Sequence, residues 1–210
     1  MPGMKLILIR HGESEGNAGG FVQGRLDFGL TSLGRAQAHA TAERLRGLKV
    51  DRLVSSPLKR AFETASVFAG VVGLEIEPEP GLMEYDMGAA SGLTGPQIRE
   101  KFPEIMAAWG KGIRPTFPGE EGRDEFHARV AEVLRRYAGT RQTIAAVAHG
   151  GVISAVCYQV LGMDRARRGS FETANCSITE VALDRAGHMV LTRQNDTCHL
   201  DGILTTVDRG

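Results

Sequence analysis

Two short apolar segments of this chain each end in a His-Gly pair, and this repetition limits the folds open to it. Leu6–Ile9 leads through Arg10 into His11-Gly12, and Ile144–Ala148 leads into His149-Gly150. A short run of apolar residues is consistent with a strand buried on both faces. The carboxyl ends of such strands meet at one edge of a parallel sheet, where active sites form. The two histidines are therefore predicted to face each other across one pocket.

Segments with a helical pattern separate the predicted strands. Further strands are predicted at Leu53–Val54 and Leu74–Glu77, with a hairpin at Ser177–Leu183 and Met189–Arg193. Helices are predicted from Thr31 or Ser32 to about Leu48, from Ser56-Pro57 to about Val72, from about Arg123 to Tyr137, and after Gly150-Gly151 as far as Leu161. Strands that alternate with helices indicate an α/β fold. We predict a three-layer α-β-α sandwich, mostly parallel, with an antiparallel C-terminal hairpin.

The stretch from Gly81 to Gly122 interrupts this alternation. It contains helical pieces after Thr94 and Pro103, which glycine and proline separate. We predict that residues 81–122 are an insertion that covers the active site. The 210 residues of the chain are within the usual size of one domain, so residues 1–210 are predicted to form a single domain.

The charge balance argues against nucleic acid as a partner. The chain has 25 basic and 25 acidic residues, whereas a duplex-binding protein usually carries a basic excess. Of the 25 basic residues, 20 are arginine, whose planar guanidinium group suits phosphate or carboxylate. No apolar run approaches the roughly 18 residues that span a bilayer, so no membrane partner is expected.

The cysteines and the lack of metal motifs favour a cytoplasmic protein without a cofactor. Cys157, Cys176 and Cys198 form no C-x-x-C pair, and their odd number is typical of reduced thiols. The sequence contains no H-E-x-x-H motif, no Walker loop and no paired aspartates. We therefore predict no metal and no cofactor.

Two arginines join the histidines at the predicted strand ends. Arg10 precedes His11, and Arg60 lies one turn into the helix after Ser55-Ser56-Pro57, which directs it to the same edge. Guanidinium groups and a helix N-terminus both favour a phosphate dianion. Nearby guanidinium groups also disfavour an imidazolium, so a histidine here keeps a neutral ring with a free lone pair. The alternative for Arg60 is a surface pair with Glu63 at i,i+3.

Five blocks of the sequence follow one another in the order of a known family. They are Leu8 to Asn17, with the R-H-G signature; Gln23 to Asp27 with Leu30 to Ala38; Val54 to Ala65, similar to S-x-L-x-R-A-x-x-T-A; Leu82 to Gly88, similar to L-x-E-x-D-x-G; and Val147 to Ile153. In these blocks the chain resembles the histidine phosphatase superfamily, the phosphoglycerate-mutase-like proteins. The resemblance covers nearly the whole chain and favours the phosphatase branch.

The resemblance implies a role for each matched residue. His11 is the expected nucleophile, which forms a phosphohistidine intermediate that water then hydrolyses. Arg10, Arg60 and His149 are expected to bind the phosphoryl oxygens and to stabilise charge during transfer. Glu84 is the expected general acid for the leaving oxygen. The residues expected to bind the substrate are Asn17, Gln23, Gly24 and Gly150.

Two positions depart from the pattern of the family. Glu121, in Pro118-Gly119-Glu120-Glu121-Gly122, stands where the family often has a serine before its fourth helix, which is expected to alter a helix cap near the site. Ala90-Ser91 stands where an aromatic-plus-acid pair is common, which is expected to widen the pocket or loosen its cover.

Three functions are compatible with these residues. The first is a metal-independent phosphomonoesterase that hydrolyses a small phosphorylated metabolite. The second is a phosphoglycerate mutase primed by 2,3-bisphosphoglycerate, although the chain lacks the long arginine- and proline-rich insertion that resemblance to true mutases would require. The third is a phospho-ligand-binding module without catalysis, which would not need both a nucleophile and an acid. The sequence leaves the substrate and the oligomeric state open.

Overall fold

Six β-strands form one sheet in the part of the chain that the computed structural model describes, which is residues 3–111, 113, 115–164, 171–184 and 186–203. The strands are β1 (Lys5–Arg10), β2 (Arg52–Ser55), β3 (Ile76–Pro78), β4 (Thr143–Ala148), β5 (Ile178–Leu183) and β6 (Met189–Asp196). Their order across the sheet is β3-β2-β4-β1-β5-β6.

Strand β1 lies inside the sheet between a parallel and an antiparallel neighbour. It pairs in parallel with β4, from Lys5 opposite Thr143 to Arg10 opposite Ala148. On its other side it pairs antiparallel with β5, and β5 pairs antiparallel with β6. Strand β2 runs parallel to both β3 and β4. The prediction of a mostly parallel sheet with an antiparallel C-terminal hairpin is confirmed.

Helices cover both faces of this sheet. They are α1 (Glu15–Ala18), α2 (Ser32–Arg44), α3 (Lys59–Val72), α4 (Gly95–Lys101), α5 (Pro103–Gly110), α6 (Arg123–Ala138) and α7 (Gly150–Val160). Because side chains alternate along a strand, Ile7 and Ile9 pack with α2 and α3, whereas Leu6 and Leu8 pack with α6 and α7. The three-layer prediction is confirmed. Among the described residues no helix is long and apolar enough to cross a membrane.

Helix α2 begins where the sequence predicts and ends earlier. The hydroxyl of Thr31 accepts a hydrogen bond from the Gly34 N–H at 3.0 Å and so caps the first turn. The helix ends at Arg44 rather than near Leu48. Gly47 has a φ of +82°, a left-handed conformation that favours glycine and does not continue a right-handed helix.

The predicted start of the next helix is wrong. Helix α3 begins at Lys59, not after a cap at Ser56, and its N-cap is Leu58. The side chain of Asp27 supplies the missing cap, because it accepts from the Lys59 N–H at 2.6 Å. The hydroxyl of Ser56 instead lies 2.8 Å from Nε2 of His149. A serine that reads as a helix cap is thus part of the site.

Both helices predicted within residues 81–122 are present. Thr94 and Gln97 form a capping box at the start of α4, and Pro103 opens α5. The segment has its own small apolar cluster of Ala90, Ile98 and Phe117. Its first part lies along the loop after α1, since the Gly92 N–H donates to the Val22 carbonyl at 2.7 Å. That the whole segment covers the active site stays a prediction.

Candidate active site

The parallel register of β1 and β4 brings the two strand-end histidines together. Arg10 is opposite Ala148, and the next residue of each strand is a histidine. The His11 N–H donates to the Ala148 carbonyl at 3.0 Å, and the rings of His11 and His149 lie 5.1 Å apart between their centroids. Both side chains are buried. The two His-Gly pairs therefore lie at one edge of the sheet, as their positions at the ends of predicted strands suggest.

Two neighbours determine which nitrogen of His11 carries the proton. Nδ1 lies 2.7 Å from the Gly12 carbonyl oxygen, which only accepts, so Nδ1 is the protonated nitrogen. Nε of Arg60, which only donates, lies 3.3 Å from Nε2. Nε2 therefore holds the lone pair. A neutral imidazole with its Nε2 lone pair directed at a cationic neighbour is suited to nucleophilic attack on a bound anion.

Burial and positive charge keep both histidines neutral. Burial lowers the pKa of His11 well below its usual value, the guanidinium groups of Arg60 and Arg10 lower it further, and the hydrogen bond to Gly12 acts in the opposite direction. Burial also lowers the pKa of His149, followed by the charge of Arg60 and of its other neighbours. Sequence analysis explains the neutral histidine ring by nearby guanidinium charge alone. The structure adds burial as the larger cause.

Arg60 reaches the histidines from the first turn of α3. Its side chain is almost fully buried, and its Nη1 and Nη2 atoms each donate at 2.8 Å to a loop carbonyl, those of Leu26 and Gly24. Burial lowers the pKa of Arg60 to about 10, against the opposing charges of Glu84 and Asp27. The group is therefore a cation at neutral pH. Its N–H bonds not used by the protein are available to phosphoryl oxygens.

The alternative of a surface pair between Arg60 and Glu63 is wrong. Glu63 accepts instead from the Leu30 N–H at 2.9 Å and from Arg35 at 3.3 Å. It thereby fixes the end of the loop before α2, while Arg60 points into the protein.

Arg10 and Gly150 lie next to each other. Nη1 of Arg10 donates to the Thr173 carbonyl. A Cβ atom on Gly150 would lie 3.0 Å from Oγ1 of Thr173 and 3.7 Å from Nε of Arg10. Gly150 is the first residue of α7. The Arg10 guanidinium thus lies at the N-terminus of a helix, where unpaired backbone N–H groups attract anions.

His149 is held through one ring nitrogen. Its Nε2 lies 2.8 Å from Oγ of Ser56, and Ser56 Oγ also accepts from the Leu58 N–H at 3.3 Å. The hydroxyl proton of Ser56 is then available to Nε2, which leaves the proton of a neutral ring on Nδ1. Nδ1 is buried and has no hydrogen-bond partner among the described residues. A buried donor of this kind is satisfied when a phosphoryl oxygen binds.

Glu84 reaches the site from the loop after β3. Its Oε1 accepts from the Tyr85 N–H at 2.8 Å, and its Oε2 accepts from the Gly151 N–H at 3.1 Å. A Cβ atom on Gly151 would lie 2.3 Å from Glu84 Oε1, so only glycine leaves room for the carboxyl group. The carboxyl group of Glu84 therefore lies at the start of α7, two residues after His149.

The other nearby carboxylates are directed elsewhere. Asp86 accepts from the Gly88 N–H in its own loop at 2.9 Å. Glu79 accepts from the Gly81 N–H and from Arg136 of α6. Glu84 is thus the one of these three carboxylates that contacts the helix following His149.

The expected substrate-binding residues of the loop after β1 form one hydrogen-bonded group. Oδ1 of Asn17 accepts from the backbone and hydroxyl of Ser14 and from Nδ2 of Asn175. Oε1 of Gln23 lies 2.7 Å from Ser14 Oγ. Gly24 has a φ of +51° and presents its carbonyl to Arg60. Gln23 and Gly24 thus shape the loop around Arg60.

Asn175, Ser56 and Arg129 belong to the site but escape residue-by-residue analysis of the sequence. Nδ2 of Asn175 donates to the His11 carbonyl at 3.0 Å, from a position far along the chain. Arg129 of α6 donates to the Gly81 and Met83 carbonyls, at 2.9 Å and 2.8 Å. Arg129 lies on a charged amphipathic helix, where a charge reads as a solvated face. No local signal separates it from its neighbours.

Glu121 does not itself cap α6, and its expected alteration of a helix cap stays a prediction. The N-cap of α6 is Gly122, without a side-chain hydrogen bond. The carboxylate of Glu121 instead forms ion pairs with Arg25 and Arg129, each at 2.9 Å. The other unusual position, Ala90, is fully buried in its apolar cluster. The expected widening of the pocket by Ala90-Ser91 stays a prediction.

Comparison with known proteins gives a consistent result. The model of the histidine phosphatase superfamily (branch 1) matches residues 6–197. Phosphoserine phosphatase 1 of Hydrogenobacter thermophilus is 35% identical over 202 residues, which is 94% of each chain. A probable phosphoglycerate mutase, GpmB of Yersinia pestis, is 29% identical over 94% of this chain and 95% of its own. The structure of a phosphoserine phosphatase from Entamoeba histolytica with 3-phosphoglyceric acid superposes with a TM-score of 0.81, at 33% identity, over 94% of this chain and 99% of that one.

We predict that the His11 and His149 rings stay neutral at mildly acidic pH. Both pKa values lie below the ordinary value because burial and nearby cations oppose protonation. Ring NMR signals, assigned with His11→Asn and His149→Asn variants, should not titrate between pH 7.5 and 5.5, whereas a histidine peptide in the same tube titrates near pH 6.5. The nitrogen shifts should show His11 protonated on Nδ1. Titration of either ring near pH 6.5, or a proton on Nε2 of His11, contradicts the assignment.

Proposed function

This chain belongs to the histidine phosphatase superfamily, and we propose that it is a metal-independent phosphomonoesterase that hydrolyses a small phosphorylated metabolite through a phosphohistidine. The observation that carries the proposal is the arrangement of His11. Its Nε2 lone pair is kept free of a proton by two fixed neighbours, and its ring lies between two guanidinium groups and a second histidine. A binding module gains nothing from such a nucleophile.

In the first step, Nε2 of His11 attacks the phosphorus of the substrate. A P–N bond forms while the P–O bond to the leaving group breaks. Arg10, Arg60 and Nδ1 of His149 hold the phosphoryl oxygens, whose charge they stabilise during transfer. Glu84, carrying a proton, gives it to the leaving oxygen, so that the alcohol departs neutral.

In the second step, a water molecule attacks the phosphohistidine. The P–N bond breaks, Nε2 of His11 recovers its lone pair, and inorganic phosphate forms. The Glu84 carboxylate takes up one proton of the water and is ready for the next cycle. The reaction consumes one water and needs no other co-reactant. Glu84 is suited to both steps because two backbone N–H groups fix its position beside α7.

The guanidinium groups supply the positive charge that a metal ion supplies in many other phosphatases. Arg60 is buried and oriented by two loop carbonyls, so it meets the phosphoryl group without a search through rotamers. We therefore propose that hydrolysis proceeds without a metal. We also propose the cytoplasm as its location, since Cys157, Cys176 and Cys198 are all unpaired.

The substrate class is proposed from the relatives. One is named for phosphoserine, and the related structure from Entamoeba histolytica is in complex with 3-phosphoglyceric acid. We propose a phosphorylated metabolite of this size. The mutase-named relative makes phosphoglycerate mutase the second candidate. Against it stands the short acid loop of this chain, without the long arginine- and proline-rich insertion expected of true mutases.

One set of assays separates the candidates. Release of inorganic phosphate from a panel of small phosphate esters, with EDTA present, supports the phosphatase. Isomerisation of phosphoglycerate that depends on 2,3-bisphosphoglycerate supports the mutase. Binding of a phosphate ester with neither reaction supports the binding module.

We predict that His11→Ala abolishes phosphate release. The substitution removes the only atom assigned to the P–N bond, while the neighbouring His149 is held by Ser56 and stays in place. Acid hydrolyses the P–N bond of a phosphohistidine, so the wild-type protein should be quenched with alkali during turnover. The quench should trap a base-stable, acid-labile phosphoryl group that the variant lacks. Full activity of folded His11→Ala excludes His11 as the carrier.

We predict that the cost of Glu84→Gln depends on the leaving group. An alkyl phosphate needs a proton on its leaving oxygen, whereas p-nitrophenolate leaves almost unaided. Loss of a general acid typically costs about 10²–10⁴-fold. The kcat/KM for β-glycerophosphate should fall by an amount in this range, and that for p-nitrophenyl phosphate much less. Equal losses of kcat/KM on both esters indicate a structural role instead, and a fall in kcat without a fall in kcat/KM indicates activation of water. If Asp86→Asn alone shows the dependence, Asp86 is the acid.

A further inference from the structure

The main chain of Glu84 is held by two arginines from different parts of the fold. Nε of Arg25, in the loop after α1, lies 3.4 Å from the Glu84 carbonyl oxygen, and Nη2 of Arg129, on α6, lies 3.5 Å from it. Arg129 also donates to the Gly81 and Met83 carbonyls. Arg129 therefore attaches three carbonyls of the loop that carries Glu84 to α6.

Glu121 holds these two arginines together. Its Oε1 accepts from Arg25 at 2.9 Å and from Nε of Arg129 at 3.0 Å, and its Oε2 accepts from Nη2 of Arg129 at 2.9 Å. It also pairs twice with Asp86, through its own N–H and through the Asp86 N–H. The Glu121 side chain is 13% exposed. At such a site a fork-to-carboxylate pair is stronger than an ordinary surface ion pair.

This group also joins the two halves of the site. Arg25 follows Gly24 and precedes Leu26, the two residues whose carbonyls orient Arg60. Glu121 thus links the loop that positions the phosphate-binding cation to the loop that positions the acid. Without a shared carboxylate, the two guanidinium groups would repel each other, and Arg25 would turn to solvent.

We propose that Glu121 is a positioning residue for Glu84: with Arg25 and Arg129 it fixes the acid loop so that the Glu84 carboxyl group meets the leaving oxygen. This proposal rests on the proposed role of Glu84 as general acid. The other reading of the same contacts is an ion pair that only stabilises the fold. The two readings differ in whether the loss follows the leaving group and whether it depends on Glu84.

The test compares Glu121→Gln with a matched control, Glu180→Gln. Glu180 is also 13% exposed and also contacts two cations, Lys5 at 3.1 Å and Arg193 at 3.8 Å, but it lies on β5. The kcat/KM is measured for β-glycerophosphate and p-nitrophenyl phosphate, because it reports the steps up to departure of the leaving group. Thermal unfolding of each variant measures the purely structural effect.

For Glu121→Gln, we expect kcat/KM on β-glycerophosphate to fall on the order of 10-fold to 100-fold, since a misplacement of about 1 Å can cost 10²-fold. The loss on p-nitrophenyl phosphate should be small. Glu180→Gln should show no dependence on the leaving group at a comparable change in unfolding temperature. Glu121→Asp, which keeps the charge, should recover part of the lost activity. It also replaces Glu121→Gln in the comparison if that variant fails to fold.

The decisive arm combines two variants. If Glu121 acts through Glu84, Glu121→Gln should cost almost nothing further in a Glu84→Gln background. Three results overturn the positioning role. The losses of kcat/KM from Glu121→Gln and Glu84→Gln multiply in the double variant, Glu121→Gln loses equally on both esters, or Glu180→Gln shows the same dependence on the leaving group. Failure of the proposed function is distinguishable, because Glu84→Gln would then itself lack the dependence on the leaving group. If only the positioning role of Glu121 is wrong, Glu84→Gln still shows the dependence on the leaving group, whereas Glu121→Gln does not.

Discussion

Strands β1 and β4 run parallel with Arg10 opposite Ala148, and this register places a histidine from each strand side by side at the edge of the sheet. A shift of β1 by one residue would turn Arg10 and His11 to the opposite faces of the sheet. Burial follows from the register, because α3 and α7 pack on either face of the same two strands. Burial then lowers both histidine pKa values. The neutral ring of His11 therefore follows first from its buried position, and nearby guanidinium charge adds to the effect.

Backbone carbonyls and a few carboxylates accept the hydrogen bonds of the positively charged side chains in the site. Arg60 is bound by the carbonyls of Gly24 and Leu26, and Arg10 by that of Thr173. Neutral carbonyls orient a guanidinium group without cancelling its charge, so the cations remain available to an anionic ligand. Charge is cancelled instead between Glu121 and its two arginines. This division lets one region attract phosphate and another hold the acid loop.

Much of this could be predicted from the chain, since buried strands and capped helices leave local signals. Thr31 caps α2, as its place just before the predicted helix suggests, and the two His-Gly pairs mark strand ends that share an edge. Ser56 shows where such signals fail. The sequence predicts that Ser56 is a helix cap before a proline. Its hydroxyl is instead hydrogen-bonded to His149, a residue more than ninety positions further along the chain. Arg129 carries no local signal of its role. Glu121 stands out as a departure from the family pattern, but its contacts with Arg25 and Arg129 join distant segments of the chain. The i,i+3 spacing of Arg60 and Glu63 predicts a surface ion pair, but Arg60 is buried and donates to loop carbonyls instead.

In the proposed mechanism, phosphate leaves its ester by way of His11 rather than by direct attack of water. Two in-line displacements, one by Nε2 and one by water, each invert the configuration at phosphorus. A thiophosphate monoester made chiral at phosphorus with oxygen isotopes, hydrolysed by the wild-type protein in isotopically distinct water, distinguishes the two routes. Transfer through His11 gives inorganic thiophosphate with overall retention of configuration. Inversion would mean a single displacement by water and would exclude the phosphohistidine.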